Sequence, residues 1–113
     1  MGKEIDINET LVKEYVETIR PEDLEIRKQV DIGYRFEKAS YFIFEIRPKW
    51  DNPEIIKHYD FAKIKFNKTK QLWQLYWMRA SLKWESYAPY PTAENIQELL
   101  HTINEDEHGC FLG

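Results

Sequence analysis

Between Arg47 and Trp84 the chain interleaves cations with aromatic rings: Arg47, Lys49, Trp50, Lys63, Lys65, Lys68, Lys70, Trp73, Tyr76, Trp77, Arg79, Lys83 and Trp84. Three of its four tryptophans fall within positions 73–84. Such a mixture suits single-stranded nucleic acid or another anionic ligand, because rings stack on bases while cations meet phosphates. Antiparallel sheets serve as platforms of this kind. The same residues have a plainer use, since strand lysines guard edges against aggregation. The run Arg47-Pro48-Lys49-Trp50 has two readings as well. Arg47 could grip a carboxylate or phosphate, or stack on tryptophan. Alternatively it pairs with Glu45 while Trp50 plugs a sheet end.

A metal-dependent hydrolase or nuclease is the alternative chemistry. It needs clustered carboxylates beside a cation to hold a divalent metal and activate water. Glu45, Asp60 and Arg47 are the candidates, but Glu45 is followed by Ile46-Arg47 rather than by a nuclease-like Glu-x-Lys. His101, His108 and Cys110 lack the paired spacing of a zinc site. His101 reads as a helix surface residue and His108 as part of a mobile tail. Cys110 has no evident base to make it a nucleophile. No glycine-rich phosphate loop is present, so no cofactor and no resident metal are expected.

The elements that must position these groups follow from periodicity. Leu11, Val12, Tyr15, Val16 and Ile19 mark one face of a helix over residues 8–20, capped by Asn8 or Asp6 and stopped by Pro21. Val30, Ile32, Tyr34 and Phe36 share one face of a first strand, and Phe42, Phe44 and Ile46 of a second strand are expected to continue it. The turn between them is read as residues 38–40. Pro48 ends the second strand. Residues 50–58 read as a loop around Asp51-Asn52-Pro53.

A third strand spans residues 61–66, with Ala62, Ile64 and Phe66 on one side and Phe61, Lys63 and Lys65 on the other. A fourth spans 72–79, and a short fifth spans 82–87. Thr92 is the expected cap of a last helix carrying Ile96, Leu99, Leu100 and Ile103. The reading is a single α+β domain over residues 1–113. It is an antiparallel sheet of four or five strands flanked by an N-terminal and a C-terminal helix.

The fourth strand makes this arrangement unusual. Trp73, Leu75 and Trp77 alternate with Leu72, Tyr76 and Met78, so both of its faces are apolar. A sheet covered by helices on one side is expected to be polar on the other. Either the far face is covered, by the 50–58 loop, the C-terminal tail or a second copy of the chain, or it is open and binds a ligand.

Charge is segregated in the same direction. Residues 1–25 hold eight acids against three bases, residues 26–83 thirteen bases against six acids, and residues 84–113 six acids and no base. The middle is basic inside a chain of net charge −4. Either the acidic ends neutralise it or it keeps a basic face for an anionic partner. The overall acidity argues against a dedicated nucleic-acid binder, and the segregation weakens that objection. One cysteine, no apolar leader and no run of about 18 apolar residues point to a cytoplasmic protein without a membrane partner.

The elements FEIRPKW, AKIKFNKTKQLWQLYWMRASLKWESY and NEDEHGCFLG resemble a family of small bacterial proteins, the domain of unknown function 3024. The likeness covers nearly the whole chain. Its more specific parts are R-P-x-W, L-Y-W-M-R and the closing G-C-F-x-G. Glu85 stands after the Lys83-Trp84 pair, where the family often has histidine. The family implies no activity. The leading expectation is a non-enzymatic binding or interaction module, with nucleic acid, another anionic ligand or a homodimer partner on its basic, aromatic sheet face.

Overall fold

The computed structural model describes residues 7–112. Helix α1, Ile7–Ile19, buries Val12 and Val16, while Leu11, Tyr15 and Ile19 pack against the same core. Glu9 lies in its first turn, where a negative charge suits the helix dipole. The Asp6 cap lies outside the described residues. A single helical turn, α2 (Leu24–Arg27), follows Pro21 and is capped by the Asp23 side chain. Arg20 then reaches forward to grip both Asp31 oxygens at 2.8 and 2.9 Å, which ties the end of α1 to the start of the sheet.

The sheet is an antiparallel meander of β1 (Asp31–Glu37), β2 (Ser40–Lys49), β3 (Asn52–Asn67), β4 (Leu72–Met78) and β5 (Trp84–Ser86). A sixth short strand, β6 (Thr92–Ala93), also pairs with β4. Helix α3, Ile96–Glu105, buries all four expected residues, Ile96, Leu99, Leu100 and Ile103. Its cap is Asn95 rather than Thr92, because Thr92 is held in strand pairing opposite Gln74. Both long helices cover one face of the sheet, and Tyr41, Ile43, Ala62, Ile64 and Leu75 beneath them are almost fully buried.

Three local features depart from the sequence reading. First, the β1–β2 turn has two residues, Lys38 and Ala39, both with positive φ (52° and 63°). That is the left-handed pair a tight hairpin needs. Glu37 therefore pairs with Ser40, and Phe36 with Tyr41. Phe42, Phe44 and Ile46 consequently lie on the face opposite Ile32, Tyr34 and Phe36, not beside them.

Second, residues 52–58 are strand rather than loop, and β2 continues through Pro48 to Lys49. The two form an arm with Lys49 opposite Asn52 and only Trp50 and Asp51 at the tip. Third, β3 carries a bulge. Ile43 pairs with Ala62 but Phe44 pairs with Asp60, which leaves Phe61 as the extra residue. Phe61 joins the core instead of standing with Lys63 and Lys65.

The last described residues are docked, not a free tail. Asp106 ends α3 in the left-handed conformation, and its carboxylate accepts the backbone N–H groups of Phe111 and Leu112 at 3.0 and 2.7 Å. Phe111 is buried against Tyr87.

Candidate functional site

The far face of the sheet is built in cross-strand rows. Register places Arg35, Phe42, Lys63, Tyr76 and Ser86 side by side across five strands. A second row holds Gly33, Phe44 and Asp60, and beyond it Met78 pairs with Trp84. Facing residues in adjacent strands stand roughly 5 Å apart, so groups in a row touch. Gly33 is needed here. A Cβ at this position would lie 2.9 Å from the Phe44 ring, which rests directly on the backbone of β1.

Lys63 sits at the centre. Its ammonium lies 5.2 Å from the Tyr76 ring centroid, 5.6 Å from Phe42 and 6.0 Å from Trp84. These distances lie within reach of ring–cation attraction. Burial against the rings, and then the neighbouring Lys65, hold the Lys63 pKa below the ordinary lysine value.

Arg35 stacks on Phe42 at 4.4 Å, but Asp60 grips it in bidentate fashion at 2.8 and 2.9 Å and Glu37 adds a third contact at 3.1 Å. Those carboxylates raise the pKa of Arg35. Among the described residues, neither Lys63 nor Lys65 has a carboxylate within ion-pair distance. The face thus presents two cations without acidic partners beside partly exposed Phe42, Tyr76, Met78 and Trp84. Neither long helix lies over it.

The cation and aromatic residues picked out from sequence divide into five groups. Lys63, Lys65, Tyr76 and Trp84 come together on the far face. Trp73 and Trp77 turn the other way, under the helices, with Trp73 only 7% exposed. Trp73 and Lys68 line a cavity of about 310 Å³ there with Phe36, Tyr41 and Phe66. Arg47, Lys49 and Trp50 lie on the arm. Arg47 pairs with Glu45 at 2.9 Å and Lys49 with Asp51 at 3.7 Å, while Trp50 is 91% exposed and plugs nothing. Arg79 and Lys83 close the β4–β5 turn, where Arg79 pairs with Glu85 at 3.2 Å. Lys70 lies in the β3–β4 turn.

Phe42 and Phe44 were missed because the two-residue turn inverts the expected register, and recognising Lys38 and Ala39 as the whole turn would have found them. Arg35 lies on β1, whose faces that turn does not exchange.

The hydrolase candidates do not converge. Asp60 faces the far side and is occupied by Arg35, whereas Glu45 pairs with Tyr59 and Ile32 on the helix side. Among the described residues, no three His, Cys, Asp or Glu side chains gather as a metal site would require. Burial and nearby Asp106 push the Cys110 thiol above its usual pKa, opposite to an activated nucleophile. No helix among the described residues is long and apolar enough to cross a membrane.

Compared with known families, the chain matches the one described as Domain of unknown function (DUF3024) over residues 3–113. The chain belongs to this family. DUF3024 attaches no activity to the fold, so its function must be argued from the surfaces just described. No curated protein and no solved structure matches the chain.

Proposed function

We propose that this DUF3024 protein is a non-catalytic binding module whose far sheet face takes single-stranded nucleic acid. The observation that carries this reading is Lys63, a partly desolvated ammonium ringed by Phe42, Tyr76 and Trp84 and without an acidic partner among the described residues. A phosphate brought to Lys63 and Lys65 supplies the missing counter-charge. Tyr76 and Trp84 then offer ring faces to the flanking bases, a sequence-tolerant contact worth about 1–3 kcal/mol per base. The row of Arg35, Phe42, Lys63, Tyr76 and Ser86 gives the strand a track across the sheet. Chemistry on the bound strand is not part of this reading, because Glu45 and Asp60 point to opposite sides.

Titration of short single-stranded DNA and RNA oligonucleotides, followed by tryptophan fluorescence, tests the proposal. Binding is expected to weaken as salt rises. The Trp84→Ala variant should bind about ten-fold more weakly, consistent with one lost stack. Lys63→Gln should reduce the slope of log affinity against log salt by about 0.7, the contribution of one phosphate contact on a single strand. Equal binding of a polyanion without bases would reduce the site to a general anion surface. No binding of any oligonucleotide would remove nucleic acid altogether.

A further inference from the structure

The β2–β3 arm leaves one side of β3 unpaired. Strand β4 pairs with β3 only from Ala62 to Asn67, so the outer edge from Asn52 to Phe61 has no neighbour among the described residues. Every residue from 51 to 59 is exposed, including Ile55, Ile56 and Tyr59. The arm also lengthens the molecule. Its extents are 44 × 35 × 24 Å and its radius of gyration is 14.8 Å, against about 13 Å for a compact chain of this size. A long open edge that carries exposed Ile55, Ile56 and Tyr59 is a template for another strand.

We infer that a second copy of this chain occupies the edge, by antiparallel β3–β3 pairing about a two-fold axis at Ile56. A two-fold axis normal to the sheet pairs residues that point to the same side, so it must pass through a residue position. The charge pattern selects which one. Centred on Ile56, Ile56 meets Ile56, Ile55 meets Lys57 and Glu54 meets His58, so every like-charge contact is avoided. The ladder ends toward the arm tip, where a register shift against β2 sets Pro48 opposite Ile56 but Lys49 opposite Asn52.

Centred on Lys57, the ladder sets Lys57 against Lys57, with Arg47 opposite each in β2, and sets Glu54 against Asp60. Centred on His58, it sets Ile56 against Asp60 and runs Glu54 into Ala62, which β4 already pairs. Centred on Ile55, it strands Tyr59. Pro53, lacking an N–H, bounds the ladder near the tip. The Ile56 register also directs each arm tip, with Trp50, toward the β4–β5 turn of the other copy, where Leu82 is 78% exposed.

The resulting dimer carries both far faces on the same side of one continuous sheet. It stands whether or not those faces bind nucleic acid.

Sedimentation and light scattering across a wide concentration range test the pairing. The wild type is expected to dimerise. Ile56→Lys, at a 54% exposed position that leaves the core untouched, should halve the mass while the far-ultraviolet spectrum and thermal midpoint persist. In a Cys110→Ser background, Ile56→Cys should give a covalent dimer on oxidation, because facing Cα atoms on paired strands stand roughly 4.5–5.5 Å apart. Glu54→Cys should not, since four residues of strand separate that position from its copy by roughly 13 Å. A wild type that stays monomeric overturns the inference. So does a dimer that survives Ile56→Lys, or one that Glu54→Cys locks and Ile56→Cys does not.

Discussion

The two faces of this sheet are made by the same strands and carry the same kinds of residue, yet they are built to different ends. On the helix side, Tyr41, Ile43, Ile64 and Leu75 meet α1 and α3 and lose nearly all contact with water. On the far side, Phe42, Tyr76 and Trp84 stay partly exposed and are interleaved with Arg35, Lys63 and Lys65. Leu75 and Tyr76 are consecutive in β4 and belong to these two different worlds. Apolar content alone therefore does not say which face is the core. What separates them is whether cations are threaded between the rings, because an ammonium is costly to bury without a partner.

This contrast can be tested most sharply inside β4. Leu75→Ala should cost about 2–5 kcal/mol of unfolding free energy in urea, the range for a large residue removed from a closed core. Tyr76→Ala should cost under about 1.5 kcal/mol, as for a site away from the closed core. A comparable loss at both positions would mean that the far face is as dry as the near one. Gly33→Ala is expected to fall between them, at about 1–3 kcal/mol, because its methyl group would displace the Phe44 ring. No loss there would show that the ring is not seated on β1.

The smallest effect is expected at Lys63, and it has a sign. Its folded-state pKa lies below the unfolded value, so the folded chain holds that proton less firmly than the unfolded chain. Stability from this group is therefore lowest at neutral pH and rises as pH climbs through the depressed value toward the ordinary lysine range. Lys63→Met should be slightly more stable than wild type at neutral pH. The gap should narrow in alkaline buffer. A variant less stable than wild type at neutral pH would show that ring–cation attraction outweighs desolvation.

Periodicity alone placed α1 and α3 and split β4 into its two sets, because each repeats one pattern over several turns or residues. Lys63 and Lys65 were legible as sharing one face, but alternation did not say whether Tyr76 or the pair Trp73 and Trp77 joins them, since both sets of β4 are large and apolar. Three things were hidden. Lys38-Ala39 is not a composition that announces a left-handed two-residue turn, and without it the register of β2 slips by one and exchanges its faces. The Asp51-Asn52-Pro53 signal marks a strand entrance that looks like a loop, because polar residues dominate a strand with little core to cover. The Phe61 bulge breaks alternation inside an otherwise regular strand, and no residue type there signals an insertion.

That single extra residue has a reach beyond local geometry. Were Phe61 paired opposite Phe44 instead of bulged out, Asp60 would stand opposite Glu45 and point toward the helices, and Arg35 would lose its clamp. With the bulge, the arginine is tethered and neutralised while the two lysines beside it stay available. One added position in the backbone thus decides which positive charges on the open surface can greet a visitor.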